Sequence, residues 1–485
     1  MKKKSIAKNY IYNLIYQMLT IVLPVITTPY LSRVLGAEAI GIYGYTLSIV
    51  TYFVLFGSLG IAMYGQREIA YVQGNQEKES KAFWEIVLLK LTTLTISAVT
   101  FYITFCMRGD YVVYYRILIL ELVSSALDIS WFFQGIEDFG KTVIRNLVVK
   151  TLSLICIFAF VKSPADLGKY FLIYTASNAL GNLTMWFYIP KMVKKIKIQE
   201  LDYKKHIKPI LALFIPQIAT QVYVVLDKTM IGNITKNMTE VGFYEQAQKI
   251  VKTLMLVVTA LGTVMSSRIA NAFAENKTED IKKYLKQSFD IVWMLGIPAM
   301  FGVMAVASKM VPWFYGDGYE PVINLLIATS PILLIIGLNS VTGVQYLIQA
   351  KRQKAYTISV TAGAIINVIL NLILINMIGT IGAVVASLAA ECSIFAIHLI
   401  YMRKDVNILK IFKDSIKYLI SGIIMYFVVR QVTKLLPVSI VNTFLEGVIG
   451  AIVYFAILLI LQDKFLKDII NQVYVNIKAR LGKNK

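Results

Sequence analysis

The chain has 485 residues, of which 57% are hydrophobic and only 16% charged, against about 45–50% and about 25% in an ordinary water-soluble domain. That excess needs a non-aqueous solvent, and it turns the net charge of +21 from a nucleic-acid signal into a topology signal, because Lys and Arg orient membrane helices. Cys106, Cys156 and Cys392 sit in or beside apolar runs with no paired spacing, which excludes a disulfide framework or a cysteine metal site.

A hydrocarbon core of about 30 Å is crossed by some twenty apolar residues in a helix. Such runs are predicted at 11–33, 41–63, 83–105, 114–134, 142–161, 168–190, 208–231, 241–268, 287–309, 321–349, 356–377, 380–402, 415–433 and 440–461. The fold class expected is therefore all-α and polytopic, with about fourteen transmembrane helices. Lys2 to Lys4 ahead of the first run superficially suggest a secretory signal, but that run is over-long and is followed by more of its kind, so it is read as an uncleaved helix. With the N-terminus inside, inner segments hold 35 of the 49 Lys and Arg residues and outer ones hold 10. This bias predicts a plasma-membrane protein with both termini cytoplasmic, its basic inner loops touching the lipid bilayer surface.

Ionisable groups at membrane depth cost about 2.5–3.5 kcal/mol at a helix centre, so each asks for a reason. Along the chain, the first run offers the stripe Asn13, Gln17 and Thr20 and ends at Arg33; Arg67 opens the first inner loop. Lys90 in the third run and Asp128 in the fourth lie at similar depth and predict an internal ion pair, with Glu121 and Ser125 extending the Asp128 face. Structural pairing and a proton or cation site are both open there, as they are for Asp227. The seventh run places Gln217, Gln221 and Lys228 on one stripe beside Asp227. In the eighth, Glu245, Lys249 and Lys252 follow i, i+4, i+7 on one face. Helical spacing predicts that Glu245 neutralises Lys249 and leaves Lys252 as an unmatched cation near the midplane. Arg268 then opens an inner loop, with interfacial anchoring as the alternative to function. Lys150, Asp290, Glu391 and Glu446 receive no role, and His398 is read as a satisfied interfacial group. From Lys464 onward Phe465, Ile469, Ile470, Val473, Ile477 and Leu481 recur at helical spacing, predicting an interfacial helix.

An internal repeat organises these runs. At an offset of 201 residues Gly41-Ile-Tyr43 matches Gly242-Phe-Tyr244, Arg67 matches Arg268, Asn75 matches Asn276 and Lys81 matches Lys282; at 215, Phe133-Gln-Gly135 resembles Ile348-Gln-Ala350. A repeat of six spans is even, so its copies are parallel. The expected organisation is a six-helix lobe with linker over 1–200, a second six-helix lobe over 201–402, and two extra helices with an amphipathic cytoplasmic tail over 403–485. Two such lobes imply a cleft near mid-bilayer, exposed to each side in turn by rocking. No metalloprotease, phosphate-loop or outer-loop carboxylate motif is present, so no catalytic residue, metal or cofactor is expected.

Pro29-Tyr-Leu-Ser-Arg33-Val-Leu-Gly36, Gly41-Ile-Tyr-Gly-Tyr45, Arg67-Glu-Ile-Ala70, Trp131-Phe-Phe-Gln-Gly135, Asp227-Lys-Thr-Met230, Val241-Gly-Phe-Tyr-Glu245 and Gln345-Tyr-Leu-Ile348, in that order, resemble the bacterial polysaccharide-transporter flippases. These belong to the superfamily of multidrug, oligosaccharidyl-lipid and polysaccharide exporters. The resemblance implies a flippase that carries an undecaprenyl-diphosphate-linked oligosaccharide from the inner to the outer leaflet for capsule, exopolysaccharide or O-antigen synthesis. A polysaccharide polymerase and glycosyltransferases would be its partners. Positive charge suits an anionic diphosphate, so the substrate-binding candidates are Arg33, Arg67, Lys228, Lys249, Lys252, Arg268, Gln217 and Gln221, with Glu121, Asp128 and Asp227 as candidate ion-coupling groups. A multidrug or cation antiporter, a lipid-linked glycan polymerase or ligase, and a scaffold recruiting glycosyltransferases are the alternatives.

Overall fold

Inside a membrane no water is available to satisfy main-chain polar groups, and a helix closes its hydrogen bonds within itself. Accordingly the computed structural model is all-helical, with no strand among the described residues. It describes the backbone of residues 6–260 and 262–482, and side chains there except at 6–21, 215–217, 219–224, 263, 410, 473 and 476–482. The fold separates into two compact units, Met1–Glu245 and Gln246–Lys485.

In the first unit, α1 (Ile6–Ser58) carries the first two predicted runs with no loop between them. Its break is at Gly36, whose φ of 79° and ψ of 169° lie where a side chain would be strained. Leu59 and Gly60, both at positive φ, then break the second run before α2 (Ile61–Val72). The third run is α3 (Gln76–Phe101), started by Asn75 accepting from Lys78 N, and it ends in a π-turn over Tyr102–Cys106. The fourth is split at Asp128 and Ile129 into α4 (Val112–Leu127) and α5 (Ser130–Gly135). Then come α6 (Phe139–Phe160), α7 (Leu167–Trp186), short 3₁₀ turns between Ile189 and His206, α8 (Ile207–Thr235) and the first two turns of α9 (Met238–Thr259).

The core of this unit stacks Phe83 on Trp131, with Ile61, Ile69, Phe132 and Phe133 around them, all buried. Here α2 and α5 approach to backbone distance: a Cβ on Gly135 would stand 2.8 Å from Gln66 O, and one on Gly65 2.5 Å from the Trp131 ring. The segments Arg67–Ala70 and Trp131–Gly135 therefore belong to one packed element pair.

The second unit holds the rest of α9, then α10 (Gly262–Ala274), α11 (Thr278–Tyr315), α12 (Pro321–Thr329) and α13 (Pro331–Asn339), which runs into a π-segment over Ser340–Leu347. It continues with α14 (Gln353–Ile378), α15 (Thr380–Met402), α16 (Ile408–Leu435), α17 (Ile440–Ile460) and α18 (Lys464–Gly482). Phe289, Trp293, Tyr418 and Tyr454 fill its core.

The repeat extends to the irregularities. The second run breaks at Leu59 and Gly60, and the eighth leaves the helix at Ala260, 201 residues after Leu59. The fourth run breaks at Asp128, and the tenth leaves α-geometry over the segment 215 residues on. Such breaks cost backbone hydrogen bonds and mark working positions more often than defects. Among the described residues, nine helices are long and apolar enough to cross a membrane, or ten if α9 and α10, bent by 43°, count as one span. Divided runs such as the fourth do not meet that test as single helices. The protein is a multi-pass helical membrane protein.

Candidate functional site

In the first unit the second arm of α1 packs on α8 through side chains and on the start of α9 with almost no side chain between backbones. A Cβ on Gly41 would lie 1.6 Å from Met238 O, and one on Gly242 would lie 1.9 Å from Ala37 O. These two glycines are the repeat equivalents of one another.

Beside this crossing the polar residues of α8 are taken up in pairs. Tyr244 Oη donates to Asp227 Oδ2 at 2.5 Å, and Lys228 Nζ lies 2.8 Å from Glu245 Oε2, both side chains nearly buried. Along α8 at the next positions, Thr229 Oγ1 lies 2.7 Å from Ser48 Oγ and 3.3 Å from Tyr52 Oη, and Asn233 Oδ1 accepts from Tyr45 Oη at 2.6 Å. Positions 45, 48 and 52 share one face of α1, which is why a single helix stripe can meet α8. Glu245 reaches over Gly44, within 3.7 Å of where its Cβ would be. Asp227 and Lys228 are thus not paired with each other: Tyr244 and Glu245, adjacent on α9, take one each.

A second polar seam joins α4 to α7. Glu121 Oε1 accepts from Asn178 Nδ2 at 3.1 Å, Asn182 Nδ2 donates to Ser124 O at 2.9 Å, and Trp186 Nε1 donates to Leu127 O at 2.8 Å. Tyr43 packs against Tyr170 and Tyr174 at ring distances of 4.8 and 5.7 Å. The expected ion pair at the α4 end takes another form. Lys90 Nζ donates to the main-chain oxygen of Asp128 at 2.7 Å, while the Asp128 carboxylate accepts from Ser130 N and Ser130 Oγ at 2.9 and 2.5 Å. The break between α4 and α5 explains the change: it frees a carbonyl that the lysine can reach and a helix start that the carboxylate caps.

Of the other candidates, Arg33 is exposed, and Arg67 is exposed over the rings of Tyr64 and Tyr71 at 5.7 and 6.0 Å. In the second unit, Lys249 is half-buried and Lys252 exposed on α9, and Arg268 is exposed on α10. Neither Lys249 nor Lys252 is without a partner. The side chains of Asn13, Gln17, Thr20, Gln217 and Gln221 lie outside the described residues. His398 is buried with both ring nitrogens hydrogen-bonded, Nδ1 to Thr342 at 2.8 Å and Nε2 to Ser359 at 2.7 Å.

Sequence reasoning missed a buried network where the basic linker meets α3. Glu85, fully buried, receives Lys205 Nζ at 2.7 Å, His206 Nε2 at 2.8 Å and Asp202 N at 2.9 Å, and His206 Nδ1 lies 2.6 Å from Tyr64 Oη. The available signal was a lone Glu three residues into an apolar run, which in a membrane protein asks for a counter-charge. It missed likewise the chain Lys286–Asp290 (2.7 Å), Lys286–Asp414 (3.4 Å) and Lys417–Asp463 that ties α11, α16 and the start of α18. No three His, Cys, Asp or Glu side chains among the described residues converge to hold a metal ion.

The model of the polysaccharide biosynthesis protein family matches residues 6–270, and the MatE model matches 212–373. An Escherichia coli (strain K12) protein whose name assigns it to O-antigen transport is 22% identical over 408 residues, covering 83% of this chain and 98% of its own length. The lipid II flippase MurJ of Bacillus subtilis (strain 168) is 23% identical over 317 residues, 57% of each chain. Among solved structures, lipid II flippase MurJ in an inward closed conformation superposes with a TM-score of 0.75 over 95% of this chain and 100% of its own, at 16% identity. An inward-facing multidrug resistance MATE transporter gives 0.62 over 84% and 96%, at 14% identity.

Proposed function

The chain belongs to the polysaccharide biosynthesis protein family, and from that premise we propose that it is a flippase for an undecaprenyl-diphosphate-linked oligosaccharide. It moves the repeat unit from the inner to the outer leaflet of the plasma membrane by alternating access, ahead of polymerisation into capsule, exopolysaccharide or O-antigen. The family match across more than half of the chain carries this reading. Relatives named as transporters and flippases, not enzymes, support it over a polymerase or ligase. In this proposal the chain works as repeat lobes 1–200 and 201–402 with an added segment 403–485, and both termini are cytoplasmic. A polymerase and glycosyltransferases act beside it.

A diphosphate-linked glycan is anionic, and Arg33, Arg67, Lys228, Lys249, Lys252 and Arg268 supply cations that form charge-assisted bonds with phosphate oxygens. Gln217 and Gln221 would hold sugar hydroxyls. Coupling to an ion gradient falls to Glu121, Asp128 or Asp227. Asp227 is the strongest of the three by chemistry, since it is the most buried and its hydroxyl partner Tyr244 can accompany a change of charge.

The test is transport of a fluorescent undecaprenyl-diphosphate oligosaccharide in proteoliposomes, read by quencher accessibility. A rise in outer-leaflet signal that is lost in a Lys249→Gln/Lys252→Gln variant is expected; flipping at the rate of empty liposomes refutes the assignment. The MatE match over 212–373 favours one second reading, an antiporter for organic cations. Ethidium efflux from the same vesicles, with no movement of the lipid, would establish that reading instead.

A further inference from the structure

The second unit contains a cavity of about 660 Å³ between α10, α11 and α18, of whose lining only Arg268 is named among the substrate-binding candidates. Its volume falls in the range of small-molecule sites, roughly 300–1,000 Å³, and is far too large for a packing flaw. α18 is held at its start, where the buried Asp463 caps Leu466 N at 2.7 Å and pairs with Lys417, and where Leu466 is buried. Phe465 and Ile469, the first residues of its apolar face, turn into the cavity and remain only half-covered. Met294 and Leu295 of α11 form the apolar wall opposite.

Val264, Met265 and Ile291 extend the apolar lining, and its polar part carries two cations, Arg268 from α10 and Lys283 from α11, with Gln287. Asp468 of α18 is the one carboxylate among the described lining residues. Among the described residues neither Arg268 nor Lys283 makes an ion pair, with Asp468 or with anything else. Lys286, one turn along from Lys283, has its charge taken by Asp290 and Asp414. The cavity therefore joins two cations that make no ion pair among the described residues to an apolar wall that is only half-covered. Water satisfies the polar half of such a space but finds no partners along the apolar wall. A simple anion fills only the polar half.

We propose that the cavity under α18 binds the phosphate of a lipid, with Arg268 and Lys283 on the phosphate oxygens and the first segment of the hydrocarbon chain against Phe465, Ile469, Met294 and Leu295. Guanidinium and ammonium donors meet phosphate through charge-assisted bonds, and the amphipathic helix covers the chain as it would cover a membrane surface. A glycerophospholipid such as phosphatidylglycerol and a polyprenyl phosphate share this chemistry. The proposal concerns binding and does not depend on which glycan is moved, or on whether one is.

The experiment is native mass spectrometry of the delipidated full chain titrated separately with phosphatidylglycerol, undecaprenyl phosphate and zwitterionic phosphatidylcholine. At least one phosphate lipid bearing net negative charge is expected to bind about tenfold more tightly than phosphatidylcholine, and the stronger of the two identifies the source. Arg268→Gln or Lys283→Gln should each weaken that binding roughly tenfold, the scale of one bond to a charged group. Ile469→Trp, which fills the apolar half without touching charge, should weaken it too. Lys351→Gln/Lys354→Gln removes two cations from another basic loop and should leave it unchanged. Equal binding of all three lipids, or equal loss from the cavity pair and the loop pair, overturns the site. Inorganic diphosphate competing as well as the lipids do would overturn the role of the apolar wall.

Discussion

Replacing Gly41 by alanine adds one methyl group where the structure has no room for it. The new Cβ would stand 1.6 Å from Met238 O and 2.8 Å from Gly242 N, whereas ordinary contact starts near 3.4 Å. Both opposing atoms are backbone, so no rotamer change relieves the clash, and the arms of α1 and α9 must part by about 2 Å. Overpacking of this kind costs roughly 1–3 kcal/mol, which shifts the balance away from the observed crossing by about 5- to 150-fold. Gly242→Ala should do the same from the other side, since its Cβ would meet Ala37 O at 1.9 Å. The assay is disulfide trapping between Ser48→Cys and Thr229→Cys, whose hydroxyls are 2.7 Å apart, in a background with the native cysteines replaced. Pairing of Asp227 with Tyr244 and of Lys228 with Glu245 ties α8 to α9, so parting α9 from α1 also parts this pair. Cross-linking should fall several-fold in either alanine variant. It should hold in Gly302→Ala, where a Cβ meets nothing within 4 Å. Unchanged cross-linking in Gly41→Ala would refute the claim that the crossing depends on missing side chains.

Three other outcomes follow from the same geometry. Lys228→Met and Glu245→Gln should each lower stability by about 2–3 kcal/mol, toward the low end for buried pairs, and the double variant should lose less than the sum in thermal unfolding. Glu85→Leu strands Lys205, His206 and the Asp202 amide together; a loss of about 3–5 kcal/mol is expected, with faster tryptic cleavage in the lysine-rich linker 191–208 as the local readout. At Asp405, partial burial raises the carboxyl pKa, but the bonds from Arg352 and Tyr346 outweigh it and hold the group below its ordinary value, while Arg352 is raised in turn. A depressed carboxylate contributes stability that is complete above the ordinary value of about 3.9. That stability is lost only as the pH falls through the lowered one. Because both side chains are more than a third exposed, Asp405→Asn should cost under about 1 kcal/mol at neutral pH, and its unfolding profile should converge with the parent at strongly acidic pH.

The helical class and the recurrence of membrane-spanning runs were legible because they depend on one-dimensional periodicity and on a solvent that tolerates no open backbone. The pairing of charges was not. Spacing along the eighth run brings Lys249 to Glu245 but cannot show Lys228 of α8, whose Nζ lies 2.8 Å from the Glu245 carboxylate, because it counts only one helix's own charges. The Asp128 carboxylate was assigned to Lys90. Depth along the membrane is readable from residue number, but the break that turns a carbonyl toward the lysine is not. The Glu85 network stayed hidden because its partners lie more than a hundred residues away in a linker whose positive charge already had an explanation as a topology signal.

One relation in the sequence acquires its physical reason only from the packing. The repeat aligns Gly41 with Gly242 and Gly44 with Glu245, and the structure puts the members of each pair against one another. Where equivalent positions of two copies meet, their side chains compete for one volume. Gly41 and Gly242 resolve the competition by both giving up the side chain, which brings main chain onto main chain. At the next turn a single side chain fits, and the second copy supplies it: Glu245 occupies the space above Gly44 and reaches Lys228. A charge placed in both copies at this level would put two carboxylates in one site, a repulsion that only protonation or separation relieves. The placing of a charge at 245 and none at 44 is therefore what close contact of these repeat equivalents requires. Restoring symmetry by Gly44→Glu should separate α1 from α9 even with both crossing glycines intact, and Glu245→Gly in the same chain should bring them back together.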